Sequence, residues 1–246
     1  QMVNPIIIEK TAAFRFASEN QCENIFTHTS QDQSYLLALL HDFGFRQRGL
    51  YGTDTMLVKS HPASPPKVDV SPLEYATLYF PHFRNDAFIQ KFIVPIQPQY
   101  HGILFPDLVR QAQLFGGSSV AGNAIKQAYL CKAPSNQVQV GDLVLFYRSQ
   151  DEKAITSIGV VERYETHTEA TTIMQLVSRR TVYSQDEIET MAGKSVRVML
   201  FRLVCHLKNP VSLASLRLNA QVTGKLMSIT KISDDSFSRI LSLAQR

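Results

Sequence analysis

GDLVLFYRS at residues 141–149, followed by QDEKA at 150–154 and ITSIGVV at 155–161, is the stretch that decides the fold. Two runs of β-branched and aromatic residues separated by a short charged turn predict neighbouring strands of a hairpin. The Gly141-Asp142 pair at the start of the first run is a turn signal. The stretch therefore predicts a β-rich domain in this part of the chain.

The same hairpin gathers groups that can bind a ligand. Tyr147, Arg148 and Ser149 place an aromatic ring, a guanidinium and a hydroxyl at one strand end, and Gly159 on the return strand leaves room for a close approach. Such a combination can hold a flat polar ligand. The residues equally allow an ordinary barrel hairpin in which Tyr147 is half buried.

Composition limits the class of protein. The chain has 246 residues, 44% of them hydrophobic and 19% charged, which is typical of a soluble globular protein with one large or two modest domains. It contains no run of about 20 apolar residues, as a membrane span requires, and no basic-then-apolar segment opens it, so a cytoplasmic location is expected. Cys22, Cys131 and Cys205 lack CxxC spacing, which argues against a disulfide framework and a zinc site.

The positive charge is unevenly distributed. From Ser119 onward the chain carries 16 Lys and Arg against 11 Asp and Glu, a balance of +5, whereas residues 1–118 carry 9 against 10. A basic excess confined to the C-terminal half favours a polyanionic partner such as nucleic acid.

The N-terminal part reads as an α/β pattern. A helix over residues 5–20, a strand over 24–29, a helix from Ser30 that stops near Gly44, and an extended pair over 46–51 and 55–59 follow one another. We take residues 1–60 as a first domain.

Residues 61–118 are expected to connect two domains. Three prolines between His61 and Pro66 cannot continue a helix or a strand. Beyond them, residues 75–83 and 91–96 are predicted to be extended, and residues 106–114 to form a helix that Gly116-Gly117 closes.

Residues 119–246 form the third predicted part, and it is mostly β. Strands are predicted over 123–131, 143–148, 155–162 and 196–206, with helices near 184–191 and 233–243. Several short strands with a few small helices favour a compact barrel. The expected fold class is α+β, with an α/β N-terminal domain followed by a β-barrel domain that has small flanking helices.

The first 59 residues resemble the second half of the GNAT acetyltransferase fold. The stretch LLHDFGF at residues 39–45 lies where a helix of that family ends in Gly-Phe. The family's acyl-CoA loop would precede residue 5 and is missing here, while Leu40 and Gln33 stand near the places of its usual tyrosine and asparagine. The resemblance therefore implies a partial acetyltransferase-like domain.

The C-terminal 128 residues resemble a PUA-like barrel of the EVE, YTH and ASCH group. The similarity lies in five pieces, at residues 123–125, 141–148, 158–161, 209–213 and 227–232, and the segment 178–184 resembles one in bacterial proteins that join a GNAT-like part to such a barrel. For EVE and YTH members the resemblance implies a pocket for a modified base flipped from its strand. ASCH members add RNA binding or amide hydrolysis.

A base-reading pocket needs a flat wall, hydrogen-bonding groups at the base edge and cations for the flanking phosphates. We predict that Tyr147 belongs to the stacking wall and that Asn123 and Ser149 read the edge, with Gly159 and Ser228 beside them. Phosphate contacts are predicted for Arg148, Arg179, Arg180 and Lys225. Plainer interpretations stay open: Asn123 as a turn residue, Arg179 and Arg180 as solvated surface charges, and Ser228 as a partner of the barrel backbone.

The leading hypothesis is thus a non-catalytic module that binds nucleic acid or a modified nucleotide, without a cofactor. The seven histidines show no metal-ligand spacing, and no GxSxG or HxE…CxxC pattern occurs, so we assign no catalytic or metal-binding residue. The alternatives are an acetyltransferase that uses acetyl-CoA and is completed by a missing N-terminal portion, and a base-directed amide hydrolase. A homodimer through the unpaired strand edge at residues 25–29 is a further expectation.

Overall fold

A computed structural model describes residues 14, 16–17, 19–106, 125–132, 137–177 and 182–245. The chain divides into two compact units, Gln1–Arg84 and Asn85–Arg246. The connecting region expected over 61–118 does not stand apart, because its first part joins the first unit and its strand at 91–96 joins the sheet of the second. Within the described residues, no helix has the length and apolar character that a membrane crossing requires.

The first unit contains a three-stranded antiparallel sheet. Its strands are β1 (Asn24–Thr29), β2 (Arg46–Tyr51) and β3 (Asp54–Ser60), in the order β1-β3-β2, so β1 lies at an edge. Helix α1 (Ser34–Asp42) lies between β1 and β2 in the chain. The predicted order of strand, helix and extended pair is confirmed, whereas the helix expected over 5–20 falls mostly outside the described residues. The GNAT resemblance and the homodimer stay predictions.

Two close contacts hold the second helix of this unit, α2 (Pro72–Leu78), against the rest. The buried Lys59 ammonium donates to the Leu78 carbonyl oxygen at 2.8 Å. Gly44, which ends α1 with a φ of +84°, lies so near α2 that an added Cβ would stand 2.1 Å from the Thr77 carbonyl oxygen. Only glycine fits both this backbone conformation and this space.

The extended conformation predicted for residues 75–83 is wrong in its first part, because α2 covers it. The Ser71 hydroxyl accepts a hydrogen bond from the Glu74 amide at 3.2 Å, and Pro72 occupies the first helical turn. A serine cap followed by proline and a first-turn glutamate is a helix-start signal. The aromatic residues that follow had favoured a strand, and the cap outweighs them.

The second unit is built on a six-stranded mixed sheet. Its strands are β4 (Lys91–Ile96), β5 (Lys126–Cys131), β6 (Leu143–Arg148), β7 (Ala154–His167), β8 (Val196–Ser212) and β9 (Thr230–Ile232). The order is β5-β8-β7-β6-β4-β9; β4 and β6 run parallel, and the other neighbouring strands of the described sheet run antiparallel. The hairpin predicted from residues 141–161 is confirmed as β6 and β7.

Five helices accompany this sheet in the described part of the unit. They are α3 (Pro98–Leu104), α4 (Ala170–Val177), α5 (Gln185–Met191), α6 (Leu213–Asn219) and α7 (Asp234–Gln245). The helices predicted near 184–191 and 233–243 are confirmed as α5 and α7. The helix predicted over 106–114 lies almost wholly outside the described residues.

The sheet curls strongly. In a flat sheet β5 and β4 would lie four strand spacings apart, roughly 19 Å, yet the Tyr129 hydroxyl on β5 donates to the Pro95 carbonyl oxygen on β4 at 2.9 Å. A single side chain spans that gap only if the two strands approach across the concave face. The interior is filled by a buried cluster that includes Phe92, Phe105, Phe146 and Phe201. The unit therefore has the mixed α+β, barrel-like form expected from the sequence.

Candidate functional site

The end of the curled sheet where β4 runs into α3 and β6 ends holds two of the predicted site residues, Arg148 and Ser149. Both the amide and the hydroxyl of Ser149 donate to the Ile96 carbonyl oxygen, each at 2.9 Å. These two hydrogen bonds fix the 149–153 turn to the end of β4. The hydroxyl proton of Ser149 is thereby used, while its oxygen keeps accepting capacity for a ligand donor.

Arg148 has carboxylate partners of its own. Its Nη2 lies 2.7 Å from Asp151 Oδ2, its Nε 3.1 Å from the same carboxylate, and its Nη1 3.2 Å from Glu152 Oε1. The hydrogen bond to Asp151 raises the pKa of Arg148, and the same bond lowers the pKa of Asp151. A phosphate that binds Arg148 therefore has to compete with a forked ion pair.

Tyr147 is buried, with 4% of its surface exposed. Successive strand residues point to opposite faces, and Phe146 belongs to the interior cluster, so Tyr147 lies on the outer face of β6. Burial raises the pKa of its phenol, and the nearby charge of Arg217 on α6 opposes that rise. A base can stack on this ring only after its present neighbours have moved.

Gly159 provides room for packing within the protein. A Cβ at this position would lie 3.0 Å from both the Arg202 carbonyl oxygen and the Phe201 ring, and 3.2 Å from the Phe146 ring. The two rings have their centroids 4.4 Å apart. The space that the sequence assigned to a ligand is thus occupied by Phe146 and Phe201.

The structure does not place the remaining predicted site residues together with Arg148 and Ser149. Ser228 and Lys225 are exposed in the segment before β9, where the Ser228 carbonyl accepts from the Thr230 hydroxyl at 2.9 Å. Asn123, Arg179 and Arg180 lie outside the described residues. Their roles stay predictions.

Beneath the turn that holds Arg148, the structure brings together a buried chain of polar side chains that the sequence did not reveal. His101 Nε2 on α3 lies 2.7 Å from Thr156 Oγ1, which lies 3.2 Å from Ser157 Oγ, which in turn lies 2.9 Å from His206 Nδ1. His101, Thr156 and Ser157 are each exposed by 1% or less.

A register shift makes this chain possible. Neighbouring strand residues normally face opposite sides, but Phe146 pairs with Ser157 and Tyr147 with Ile155, which leaves Thr156 as the extra residue of a β-bulge. The bulge turns the Thr156 hydroxyl toward its neighbour. The only hint in the sequence is the polar pair Thr156-Ser157 between Ile155 and Ile158.

His101 is electrically neutral. Its pKa is lowered to about 3, mainly by burial; Arg148 and His206 act in the same direction, and Asp151 opposes them. Phe105 supports the ring edge-on, with a centroid distance of 5.0 Å. A neutral imidazole in this position can exchange hydrogen bonds but cannot bind an anion by charge.

A cavity of about 300 Å³ opens elsewhere on the second unit, lined by Tyr100, Tyr183, Asp186, Glu187, Thr190 and Met191. The rings of Tyr100 and Tyr183 have centroids 4.5 Å apart and are tilted by 37°. The Tyr100 hydroxyl donates to Glu187 Oε1 at 2.8 Å, while the buried Tyr183 hydroxyl donates to the Leu130 carbonyl oxygen at 2.8 Å. The volume is at the lower end of the range for ligand sites and suits one small ring.

The cavity wall formed by α5 is held firmly. Ser184 and Glu187 form a capping box, in which the Ser184 hydroxyl accepts from the Glu187 amide and Glu187 Oε2 accepts from the Ser184 amide at 2.8 Å. These bonds and the Tyr100 hydroxyl lower the pKa of Glu187. Sequence reasoning missed Tyr100, Asp186 and Glu187, although the Ser-x-x-Glu spacing marked the start of α5.

No group of three or more metal-ligating side chains is found within the described ranges. Nor do Cys22, Cys131 and Cys205 form a disulfide. The described site residues are therefore hydroxyl, imidazole, carboxylate, guanidinium and aromatic groups.

Comparison with known proteins finds several solved structures and one family model that are similar to part of this chain. Among solved structures, ASCH from Zymomonas mobilis is similar at 12% identity over 62% of this chain and 94% of that chain, with a TM-score of 0.48. Protein Atu2648 from Agrobacterium tumefaciens is similar at 14% identity over 63% and 92%, with a TM-score of 0.39. Human THYN1, solved in complex with DNA containing 5-methylcytosine, is similar at 14% identity over 64% and 98%, with a TM-score of 0.38.

No curated protein matches the chain. The family comparison does find a match, and it falls inside the second unit, from β5 into α7. Residues 127–243 match the family model of the EVE domain, within the PUA-like and ASCH group that the sequence resembled.

Proposed function

We propose that the second unit binds nucleic acid and recognises a single, modified base without catalysing a reaction on it. The observation that carries the proposal is the match of residues 127–243 to the EVE domain. The net charge of the second unit supports the same proposal, because residues 85–246 hold 18 Lys and Arg against 13 Asp and Glu. A basic surface attracts the phosphate backbone, and that attraction weakens as the salt concentration rises, because releasing bound counterions into concentrated salt gains less entropy.

Phosphate contacts in this proposal come from Lys225, Arg179, Arg180 and, after exchange of its carboxylate partners, Arg148. Lys225 is exposed before β9. Ser149 offers an acceptor oxygen at the barrel end, and Asn123 and Ser228 complete the proposed polar set. These contacts position the strand, while discrimination between bases requires groups that reach a base edge.

The test is binding of the full chain to short fluorescent oligonucleotides, single-stranded and duplex, measured over a salt series. Each is prepared with cytosine or 5-methylcytosine and with adenine or its N6-methylated form at one central position. We expect the logarithm of affinity to fall linearly with the logarithm of salt concentration, and one modified form to bind more tightly than its parent.

A matched pair of charge reversals serves as the control. Lys225→Glu lies in the second unit and is expected to weaken binding and flatten the salt dependence. Lys67→Glu makes the same change at an exposed position of the first unit and is expected to leave both unchanged. Affinity that is independent of salt and identical for all bases would refute the proposal.

A further inference from the structure

The cavity between α3 and α5 has three features that a base needs. It offers a tyrosine wall from Tyr100 and Tyr183, an apolar contact from Met191, and a carboxylate from Asp186. Every base has a flat face that stacks favourably on an aromatic ring. At about 300 Å³ the cavity has space for one ring and excludes a base pair.

The two carboxylates of the cavity, Asp186 and Glu187, differ in the number of hydrogen bonds that they accept within the protein. Glu187 accepts from the Tyr100 hydroxyl at 2.8 Å and from the Ser184 amide and hydroxyl at 2.8 and 3.0 Å. The Asp186 side chain is exposed, and no partner of its carboxylate is found in the described part of the chain. Asp186 is therefore the acceptor available to a ligand, while Glu187 fixes the wall.

An ionised carboxylate selects a ligand edge that donates hydrogen bonds. Cytosine presents its N4 amino group and adenine its N6 amino group, whereas thymine carries at the corresponding position the O4 oxygen, which a carboxylate repels, and its one donor, N3–H, is flanked by two carbonyl oxygens. An organic cation is the other ligand that such a site could attract. Two observations disfavour it, since Glu187 is already satisfied by three donors and residues 85–246 carry a balance of +5.

We infer that the Tyr100–Tyr183 cavity is the subsite that receives the base, and that Asp186 makes it selective for a ring with an exocyclic amino group. The inference rests on the proposed function and deepens it by naming the base class. The flipped ring stacks against the tyrosine wall, its amino group donates to Asp186, and its phosphates remain outside with the cations of the second unit.

The experiment compares two substitutions on the same helix, Asp186→Asn and Glu189→Gln. Each removes one negative charge, and both residues are exposed, so both variants are expected to gain the same small affinity for phosphate. Of these two residues, Asp186 lines the cavity and Glu189 does not. Single-stranded oligonucleotides with cytosine, adenine or thymine at one central position, in an otherwise constant sequence, serve as probes.

For the wild type and for Glu189→Gln we expect cytosine or adenine to bind about tenfold more tightly than thymine, and for Asp186→Asn we expect that ratio to fall close to one. Retention of the full ratio in Asp186→Asn would overturn the inference and leave the proposed function standing. If the wild type binds none of the oligonucleotides at any salt concentration, the proposed function fails and the inference fails with it.

A cationic probe completes the design. Arginine amide is titrated into the wild type and into Asp186→Asn under the same conditions. Binding of this probe that depends on Asp186, together with an unchanged base ratio, would assign the cavity to a cation and overturn the inference. The expected result is no saturable binding of arginine amide.

Discussion

His101 Nε2 and Thr156 Oγ1 lie 2.7 Å apart in the interior of the second unit, with 0% and 1% of the two residues exposed. The contact joins α3 to the bulge of β7. It therefore fixes the helix that carries Tyr100, one wall of the cavity, to the sheet. An unmade bond at this depth costs about 1–3 kcal/mol, because the group left behind loses its partner without gaining water.

Thr156→Val is expected to lower the free energy of unfolding by about 1–3 kcal/mol. Valine keeps the branched shape and removes only the hydroxyl, so the loss reports on the hydrogen bonds that join this hydroxyl to His101, Ser157 and the Phe146 carbonyl oxygen. Thr156→Ser retains the hydroxyl and is the matched control. Urea unfolding followed by circular dichroism measures both, and equal stability of the two variants would show that the hydroxyl contributes nothing.

His101 also predicts a dependence of stability on pH. Its folded-state pKa of about 3 lies below the 6.5 expected in the unfolded chain. Between these values the unfolded state binds more protons than the folded state, so this histidine's contribution to stability is full above about pH 6.5 and is lost as the pH falls toward 3. The slope from one such group is at most about 1.4 kcal/mol per pH unit.

His101→Gln removes this titration and keeps a polar group, so its unfolding free energy is expected to fall less steeply with decreasing pH than that of the wild type. The comparison isolates His101 because the carboxylates titrate in both proteins. Urea midpoints measured at several pH values between 4 and 7 provide the test. Parallel curves for the two proteins would contradict it.

Gly159→Ala is expected to destabilise the second unit by about 1–3 kcal/mol, as overpacking does. The new methyl group would lie 3.0 Å from the Arg202 carbonyl oxygen, which is backbone and cannot swing aside. Gly49→Ala is the control, since its Cβ would meet only the Met56 terminal methyl group at 3.8 Å. Thermal unfolding of the two variants distinguishes packing in the sheet from a general effect of replacing glycine.

Local sequence signals predicted most elements of the fold. The bounds of β6 follow from a run of β-branched and aromatic residues between turn signals, and the Gly141-Asp142 turn is seen in the structure: Asp142 accepts from the Gln90 and Gln139 amides at 2.9 and 2.8 Å. The parallel pairing of β4 with β6 joins residues about fifty positions apart, and nothing local specifies it.

The candidate site was harder to predict than the fold. Arg148 and Ser149 were predicted as site residues from their place at the end of a strand, and their ligand-binding roles stay predictions; their partners Asp151 and Ile96 were not foreseen. The chain from His101 to His206 depends on a bulge, and the cavity depends on how α3 meets α5. Both arise from tertiary packing, which alternation along one strand does not encode.

Tyr147→Ala and Lys225→Ala separate folding from binding. Tyr147 is 4% exposed, so its truncation is expected to leave a void and cost about 3–5 kcal/mol of stability, as for other large buried side chains. Lys225 is exposed, so its truncation is expected to leave stability unchanged and reduce the salt dependence of oligonucleotide binding. Tyr147→Phe, which keeps the ring, is expected to retain both stability and base preference. A loss of base preference in Tyr147→Phe at normal stability would instead assign the phenol hydroxyl a direct contact with the base.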